Sequence, residues 1–194
     1  MTRTPAPLIL ASASPRRHEL LRGMGVPFTI EVAAVDENED RDHDPRTLVS
    51  GNAALKADAV SHFHPQAWVL GADTTVFVDD TVLNKPRDQE EARQMLRDLS
   101  GRAHSVFTGL ALRGLNEGVA INRGVESKVV FRTLTEEIIE TYLSRVHTLD
   151  KAGGYAIQEE GELIVERYEG SLTNIIGLPV DETKQILTEV GLCS

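Results

Sequence analysis

The sequence predicts an α/β protein built on a mixed β-sheet, and three observations lead to that prediction. Short apolar runs typical of strands are interspersed with segments in which apolar residues recur every three to four positions, as in helices. The strands and helices do not follow a strict βα alternation, which favours a mixed sheet over a purely parallel one. The 194 residues suffice for one domain, or for two small lobes, with a substantial core.

Composition and charge narrow the class of protein. The formal net charge is -10, which argues against a protein that coats nucleic acid, because such proteins are usually basic. A small anionic ligand is compatible with this charge, since a local basic pocket can exist in an acidic protein. Cys193 is the single cysteine, so neither an internal disulfide nor a cysteine-based zinc site is expected. The sequence has no apolar run long enough for a membrane span, and we expect a cytoplasmic protein without a membrane partner.

The first strand and helix enclose a candidate anion site. Leu8–Leu10 predicts a strand, Ser14 suits the N-cap of the following helix, and Pro15 suits its first position. Arg16 and Arg17 then lie in the first turn, where the helix dipole disfavours positive charge by about 0.3–1 kcal/mol each. A bound phosphate would reverse that penalty. The alternative is a pair of solvated arginines beside a capping serine.

The next two elements add an acidic segment and an inward-facing lysine. Residues 28–32 alternate in polarity and predict a strand, after which comes the acidic segment 36–40. We interpret that segment as a solvated loop in which one carboxylate could bind a metal. A helix is expected over Pro45–Phe63, and its inward face includes Lys56. This lysine either extends its ammonium to solvent or reaches a buried anion.

A carboxylate interrupts the next apolar run. Residues 68–72 predict a buried strand that ends at Asp73. Open α/β sheets carry their ligand-binding and catalytic residues at the carboxyl ends of such strands. The alternative is a turn aspartate that hydrogen-bonds to its own backbone. A hairpin is expected over 76–83, and Lys85 follows it as a further candidate cation.

The second half of the chain predicts further helices and a long hairpin. Two of the helices begin at a capping residue and carry an apolar stripe at helical spacing. The adjacent glycines Gly153 and Gly154 permit a close approach of the backbone to a ligand. The expected elements are a helix over 88–99, paired strands over 104–113 and 125–133, a helix after Thr135, a glycine-centred turn into a strand within 151–158, and a final helix over 181–190.

Cations and carboxylates share these loops, helix starts and strand ends, a combination that suits phosphoryl chemistry. Cations can hold a polyphosphate, while carboxylates can bind a divalent metal. The chain lacks a Walker loop, a dinucleotide-binding glycine fingerprint, the H-E-x-x-H zinc motif and a serine-hydrolase elbow. The cations are Arg16, Arg17, Lys56, Lys85 and Lys151, and the carboxylates are Glu37, Asp73 and Asp150.

A series of short motifs runs in order through nearly the whole chain. These motifs occupy residues 10–17, 35–37, 56–57, 71–74, 85–86, 99–109, 150–158 and 170–179. In this combination the chain resembles the Maf family of nucleoside triphosphate pyrophosphatases. The resemblance implies one domain over 1–194, with two lobes around a long mixed β-sheet and a central cleft. That fold is similar to the inosine triphosphate pyrophosphatase fold.

The resemblance also implies a reaction and roles for individual residues. The family hydrolyses a nucleoside triphosphate to the monophosphate and pyrophosphate with a divalent metal, here expected to be Mg²⁺ or Mn²⁺. Asp73 matches the proton acceptor, and Glu37 and Asp73 match the positions that hold the metal. A divalent cation would lower the pKa of a water, and a neighbouring carboxylate could then accept its proton. The residues that match phosphate-facing positions are Ser12, Arg16, Arg17, Lys56 and Lys85.

Substrate choice is implied by the same resemblance. Arg16, Thr74 and Gln158 match the subgroup that prefers dTTP and UTP, with modified pyrimidine nucleotides as further substrates. The Gln158 amide can both donate to and accept from a pyrimidine edge. The chain departs from the family at Gly154, where alanine is usual, and at 50–53, where arginine and leucine are usual. A glycine inside that second segment costs its helix about 1 kcal/mol relative to alanine, which bears on the placement of Lys56.

Two other functions stay open at this point. One is a pyrophosphatase for 7-methyl-GTP, against which Arg16 and Gln158 argue. The other is a nucleotide-binding regulator of septum formation whose catalysis is incidental, against which the retained Asp73, Glu37 and Lys85 argue. The resemblance further implies a homodimer. The expected partner is the nucleoside triphosphate substrate, without stable binding to nucleic acid.

Overall fold

Seven strands and seven helices form within the described residues of the computed structural model, which are 6–38, 44–79 and 81–193. The strands are β1 (Leu8–Leu10), β2 (Phe28–Ile30), β3 (Trp68–Val78), β4 (Thr81–Leu83), β5 (Ala103–Gly114), β6 (Val119–Phe131) and β7 (Val165–Glu169). The helices are α1 (Pro15–Gly23), α2 (Pro45–Phe63), α3 (Gln89–Leu99), α4 (Glu136–Arg145), α5 (Gly161–Ile164), α6 (Leu172–Ile176) and α7 (Val180–Glu189).

The strands form one open mixed sheet in the order β2-β1-β3-β5-β6-β7, and β4 pairs with one end of β3. β1 runs parallel to both β2 and β3. The β3–β4, β3–β5, β5–β6 and β6–β7 pairs are antiparallel. The predicted α/β class with a mixed sheet is therefore confirmed. None of the helices in the described ranges has both the length and the apolarity needed to cross a membrane.

The middle of β3 has an open edge. β1 pairs with β3 as far as Leu70, and β4 pairs with it from Val76 onward. Among the described strands, residues 71–75 are paired only on the side that faces β5. Because side chains alternate along a strand, Asp73 and Thr74 project to opposite faces of the sheet at this gap.

Helices cover both faces of the sheet. On one face α2 packs its small side chains, such as Ala57, against Val69 and Ala111 of the central strands. On the opposite face the buried side chains fall into two clusters. One cluster, around Leu70, includes residues of α1 and α7, and the other, around Val76, includes residues of α3 and α4. The two clusters lie toward opposite ends of β3, with Thr74 between them in the sequence of the strand.

Two glycines allow α2 to lie directly on the sheet. A Cβ atom on Gly71 would stand 2.2 Å from the carbonyl oxygen of Ala53, and one on Gly109 would stand 2.9 Å from Cα of Ser50. Backbone of the helix therefore contacts backbone of the strands, with no room for a side chain between them. Gly51 is exposed, and α2 continues through it without a break.

Several sequence predictions were wrong. The strand expected to end at Asp73 continues to Val78, so this carboxylate lies within β3. The strand expected within 151–158 is instead a short 3₁₀ turn over Ala152–Gly154 followed by irregular backbone. Gly153 and Gly154 have φ angles of 72° and 69°, which do not fit a strand. β6 begins at Val119, six residues before its predicted start at 125. β7, α5 and α6 were not predicted.

Candidate active site

A cavity of about 320 Å³ opens at the gap in the edge of β3. Five cations and three carboxylates line it, so the cavity is locally basic within an acidic protein and suits a polyanion. The sequence-predicted residues that line the cavity are Ser12, Arg16, Arg17, Glu37, Lys56, Asp73, Thr74, Lys85 and Gln158. The structure therefore brings together residues that are scattered over almost 150 positions of sequence.

The N-terminus of α1 points hydrogen-bond donors at this cavity. Ser14 is the N-cap and Pro15 begins the helix, as predicted, but the Ser14 side chain makes no capping hydrogen bond. Ser12 Oγ instead accepts from the Ser14 amide at 3.2 Å and from Arg17 Nη1 at 3.3 Å. The amides of Arg16 and Arg17 are first-turn donors that an α-helix leaves without an intrahelical partner. A phosphate group at this position would accept from them.

Arg17 is held in one orientation by three contacts. Besides the bond to Ser12, its Nη2 donates to Thr74 Oγ1 at 3.0 Å and its Nε donates to the Gly177 carbonyl at 2.9 Å. Burial lowers the pKa of Arg17 from its ordinary value, while the Asp73 carboxylate opposes that shift. The guanidinium stays charged at neutral pH because an arginine does not lose its proton in proteins. A fixed cation therefore joins α1, β3 and the chain segment before α7.

Three candidate residues present polar groups to a ligand. Arg16 lies 3.8 Å from a carboxylate oxygen of Asp150, which is half exposed. Lys85 and Gln158 are exposed and, within the described part of the chain, neither makes a hydrogen bond or an ion pair. Both line the cavity. Their ammonium and amide groups are thus available to a molecule that enters it.

Lys56 joins two carboxylates in the floor of the cavity. Its Nζ lies 2.6 Å from Glu37 Oε2 and 2.9 Å from Asp73 Oδ1. The lysine side chain is 10% exposed and the Asp73 side chain 16%. Of the two possibilities for this lysine, contact with a buried anion is the one observed, and the anion is Asp73. The continuity of α2 through Gly51 means that the unusual segment 50–53 does not displace Lys56.

Asn52 is a residue of this cluster that the sequence did not single out. Its Nδ2 donates to Asp73 Oδ2 at 3.2 Å and to the Asn38 carbonyl at 2.9 Å, and its Oδ1 accepts from the Asn38 amide at 2.9 Å. Asn52 precedes Lys56 by four residues, a spacing that places both on one side of a helix. The four-residue spacing from Lys56 was the only sequence pattern that could have indicated Asn52. It becomes informative only when Asp73 is known to lie beside this face of the helix.

The donor set around Lys56 fits a divalent metal bound together with a polyphosphate. No group of three or more His, Cys, Asp or Glu side chains converges within the described ranges. Glu37 and Asp73 nevertheless lie on either side of one ammonium group. Mg²⁺ is commonly held by one or two carboxylates plus substrate phosphates, so two carboxylates are sufficient. Glu39 and Asp40 of the acidic segment lie outside the described residues.

A buried aromatic pair supports another wall of the cavity. Tyr155 lines the cavity, and its hydroxyl lies 2.7 Å from Nε2 of His104. The next residue, Ala156, is also fixed, because the buried Tyr142 hydroxyl bonds to both its amide and its carbonyl. Burial lowers the pKa of His104 to about 4. The pair lies 51 residues apart in sequence, and no local pattern predicted the contact.

His104 makes the free energy of unfolding depend on pH. An ordinary histidine pKa is 6.5 and the folded value is about 4, so below pH 6.5 the unfolded chain binds the proton more readily. We expect this residue to lower the free energy of unfolding by about 2 kcal/mol between pH 7 and pH 5. Urea unfolding at both pH values measures it, with His104→Gln losing correspondingly less. Exposed His62→Gln is the control and should match the wild type. Equal losses in all three proteins would contradict the assignment.

Comparison with known proteins gives matches over nearly the whole chain. A family model described as Maf-like protein matches residues 7–190. A protein of Akkermansia muciniphila is 47% identical over 188 residues, which cover 95% of this chain and 97% of that protein. Similar proteins of Myxococcus xanthus and Symbiobacterium thermophilum are 45% and 48% identical over 185 residues. These matches cover 95% of this chain and 93% and 94% of the two relatives. All three relatives bear the name dTTP/UTP pyrophosphatase.

Proposed function

The chain belongs to the Maf-like protein family and is a nucleoside triphosphate pyrophosphatase, and within that activity we propose dTTP and UTP as its substrates. One observation supports the proposal most directly. The cavity at the open edge of β3 combines a helix N-terminus and several cations with two carboxylates that share one lysine. The first group suits a triphosphate, and the second suits the hydrolysis of one of its bonds.

The proposed step is attack of water on the α-phosphorus. Asp73 accepts a proton from the water as the water oxygen bonds to phosphorus. The bond from that phosphorus to the oxygen bridging the β-phosphate breaks, and pyrophosphate leaves. Lys56 and Asn52 hold the two oxygens of Asp73 in place from α2. Such orientation favours proton transfer, which depends on hydrogen-bond distance between base and water.

Glu37 and Asp73 are the residues proposed to hold the divalent metal, Mg²⁺ or Mn²⁺. The bound cation would neutralise phosphate charge and lower the pKa of the attacking water. Ser12, Arg16 and Arg17 are proposed to hold the phosphates at the start of α1. The Arg17 guanidinium is already oriented by its three contacts, so binding would require little rearrangement of this side chain.

Recognition of the base is proposed for Gln158, which also lines the cavity. Gln158 is exposed, and its amide, which has no hydrogen-bond partner in the described part of the chain, can pair with both a donor and an acceptor on a pyrimidine. Arg16 lies beside the same cavity. The Thr74 hydroxyl is already engaged by Arg17 and by Thr108. We therefore propose that Thr74 contributes chiefly by holding Arg17, and that Gln158 reads the base.

The experiment that tests the function is pyrophosphate release by the purified protein with Mn²⁺. The nucleotides to compare in parallel are dTTP, UTP, CTP, GTP and 7-methyl-GTP. Fast release from dTTP and UTP is expected. Fast release from 7-methyl-GTP would keep the reaction and overturn the proposed substrate. Absence of release from all five would contradict the proposed reaction and favour a binding or regulatory role.

Lys85 provides a separate test of the phosphate contacts. Its ammonium is unpaired within the described chain, so Lys85→Ala removes a ligand contact without breaking an internal one. A hydrogen bond to a charged group contributes about 1.5–3 kcal/mol, so kcat/KM for dTTP should fall about 10- to 100-fold. The matched control is Arg87→Ala, which removes a nearby positive charge that pairs with Glu91. An equal loss in both variants would contradict a direct role for Lys85.

The assembly is proposed to be a homodimer in the cytoplasm. The chain mass is 21.3 kDa, so light scattering coupled to size-exclusion chromatography distinguishes a dimer from a monomer directly. A mass of one chain across the working concentration range would contradict the dimer.

A further inference from the structure

We infer that Asn52 is a positioning residue that sets the distance between Glu37 and Asp73. This inference rests on the proposed function, in which those two carboxylates hold the metal. Asn52 is not among the described residues that line the cavity. It acts through the backbone of Asn38, the residue that follows Glu37, and through one oxygen of Asp73.

The hydrogen-bonding groups of the Asn52 side chain are used in these contacts. One amide hydrogen is available for the Asn38 carbonyl and the other for Asp73 Oδ2, while the amide oxygen accepts from the Asn38 N–H. The residue is buried, with 5% of its surface exposed. A buried amide satisfied in this way adopts one orientation, because rotation would leave polar groups without partners.

The segment that carries Glu37 needs such an anchor. Residues 32–38 form neither helix nor strand, whereas Asp73 lies within β3 and Lys56 within α2. The pair of bonds between Asn52 and the backbone of Asn38 resembles one rung of a sheet ladder. It fixes the irregular segment to the helix at the residue next to Glu37. The Glu37–Lys56 contact of 2.6 Å then has a defined geometry.

The close packing of α2 against β3 makes the hydrogen bond from Asn52 to Asp73 possible. Ala53, the neighbour of Asn52, lies against Gly71 of β3, two residues before Asp73. The helix backbone is therefore near enough for a short asparagine side chain to reach both Asp73 and Asn38. One side chain thus couples the irregular segment, the helix and the strand at the point where the metal is proposed to bind.

The experiment compares Asn52→Leu with the wild type and with Gly51→Ala. Leucine keeps the approximate volume and removes all three hydrogen bonds. The control substitution, Gly51→Ala, lies on the same helix. The Cβ that it adds would meet no other side chain or strand of the described residues within 4 Å. The probe is Mn²⁺ binding, followed by electron paramagnetic resonance, in the presence of the non-hydrolysable α,β-imido-dUTP. Loss of a residue that orients metal ligands commonly costs about 10- to 100-fold in metal affinity, and we expect that loss for Asn52→Leu only.

A second readout separates positioning from general stability. The Asn38 amide donates to Asn52, so its hydrogen exchange should quicken in the variant while amides in the middle of β5 keep their protection. If Asn52→Leu does not fold, Asn52→Ser offers the same comparison with a smaller side chain. Unchanged Mn²⁺ affinity in a folded variant would overturn the inference. A wild-type protein that binds no Mn²⁺ in the presence of the nucleotide would contradict the proposed function. Hydrogen exchange at the Asn38 amide would then be the measurement that tests whether Asn52 positions the segment carrying Glu37.

Discussion

Replacement of Asp73 by asparagine is expected to lower kcat for dTTP hydrolysis by about a thousandfold, within the range that a general base contributes. The asparagine amide has almost the same shape but cannot accept the proton of the attacking water. Its oxygen can still accept a hydrogen bond from Lys56, which keeps its ion pair with Glu37, while its amide nitrogen would face the Asn52 amide and lose that one hydrogen bond. We therefore expect the variant to fold and to bind the metal-free nucleotide nearly as the wild type does, because the phosphate contacts proposed for Ser12, Arg16 and Arg17 are unchanged. Single-turnover rates and calorimetric binding of α,β-imido-dUTP measure the two effects separately.

Asp79→Asn is the matched control for that substitution. Asp79 directly follows β3, its side chain is 82% exposed, and it pairs with Arg102 at the surface. Its φ of 47° is one that asparagine adopts readily. The control removes the same charge from the same region of the sheet and should keep full activity. An Asp73→Asn protein that hydrolyses dTTP at the control's rate would refute the role of Asp73 as the base.

Lys56→Gln is expected to show the second largest effect, on both catalysis and stability. The substitution leaves Glu37 and Asp73 facing each other without the cation between them. Removal of one partner from a buried ion pair costs about 3–5 kcal/mol. Because the Glu37 side chain is 43% exposed and therefore partly screened, we expect a loss of about 2 kcal/mol in the free energy of unfolding. The kcat/KM should fall about a hundredfold, as expected when one preorganised electrostatic contact is lost.

Urea unfolding and steady-state kinetics measure these two losses. Lys184→Gln is the control, because this lysine is exposed on α7 and glutamine suits a helix equally well. It should alter neither quantity. Loss of stability with full activity would assign Lys56 a structural role only, whereas loss of neither would contradict its ion pairs with Glu37 and Asp73.

The sequence predicted the class of fold and the members of the cavity better than it predicted the place of Asp73 in the sheet. Polar residues after a buried apolar run normally signal the end of a strand. Here Asp73 and Thr74 remain in β3 because β5 pairs with them along one edge, while the end of β1 leaves the other edge open to the cavity. The length of a neighbouring strand is a property of the fold, so no local pattern around Asp73 could reveal it.

Other contacts depended on distances that sequence does not contain. The role of Lys56 required the position of Asp73, and the role of Asn52 required both. The pairing of β7 with β6 was missed because four of its five residues are exposed and its sequence is largely charged. Helix starts were predicted well, since Asp88 and Thr135 cap through bonds to residues only three positions away.

The absence of side chains at Gly71 and Gly109 has a consequence for inherited variation in this chain. The smallest addition, one methyl group at Gly71, would collide with the Ala53 carbonyl and force α2 away from β3. Lys56 and Asn52 would move with the helix, and Asp73 would not. A substitution at a residue that does not line the cavity would thus separate Lys56 from Asp73. Alleles of this kind would resemble loss of the aspartate itself, although every reactive side chain would still be encoded.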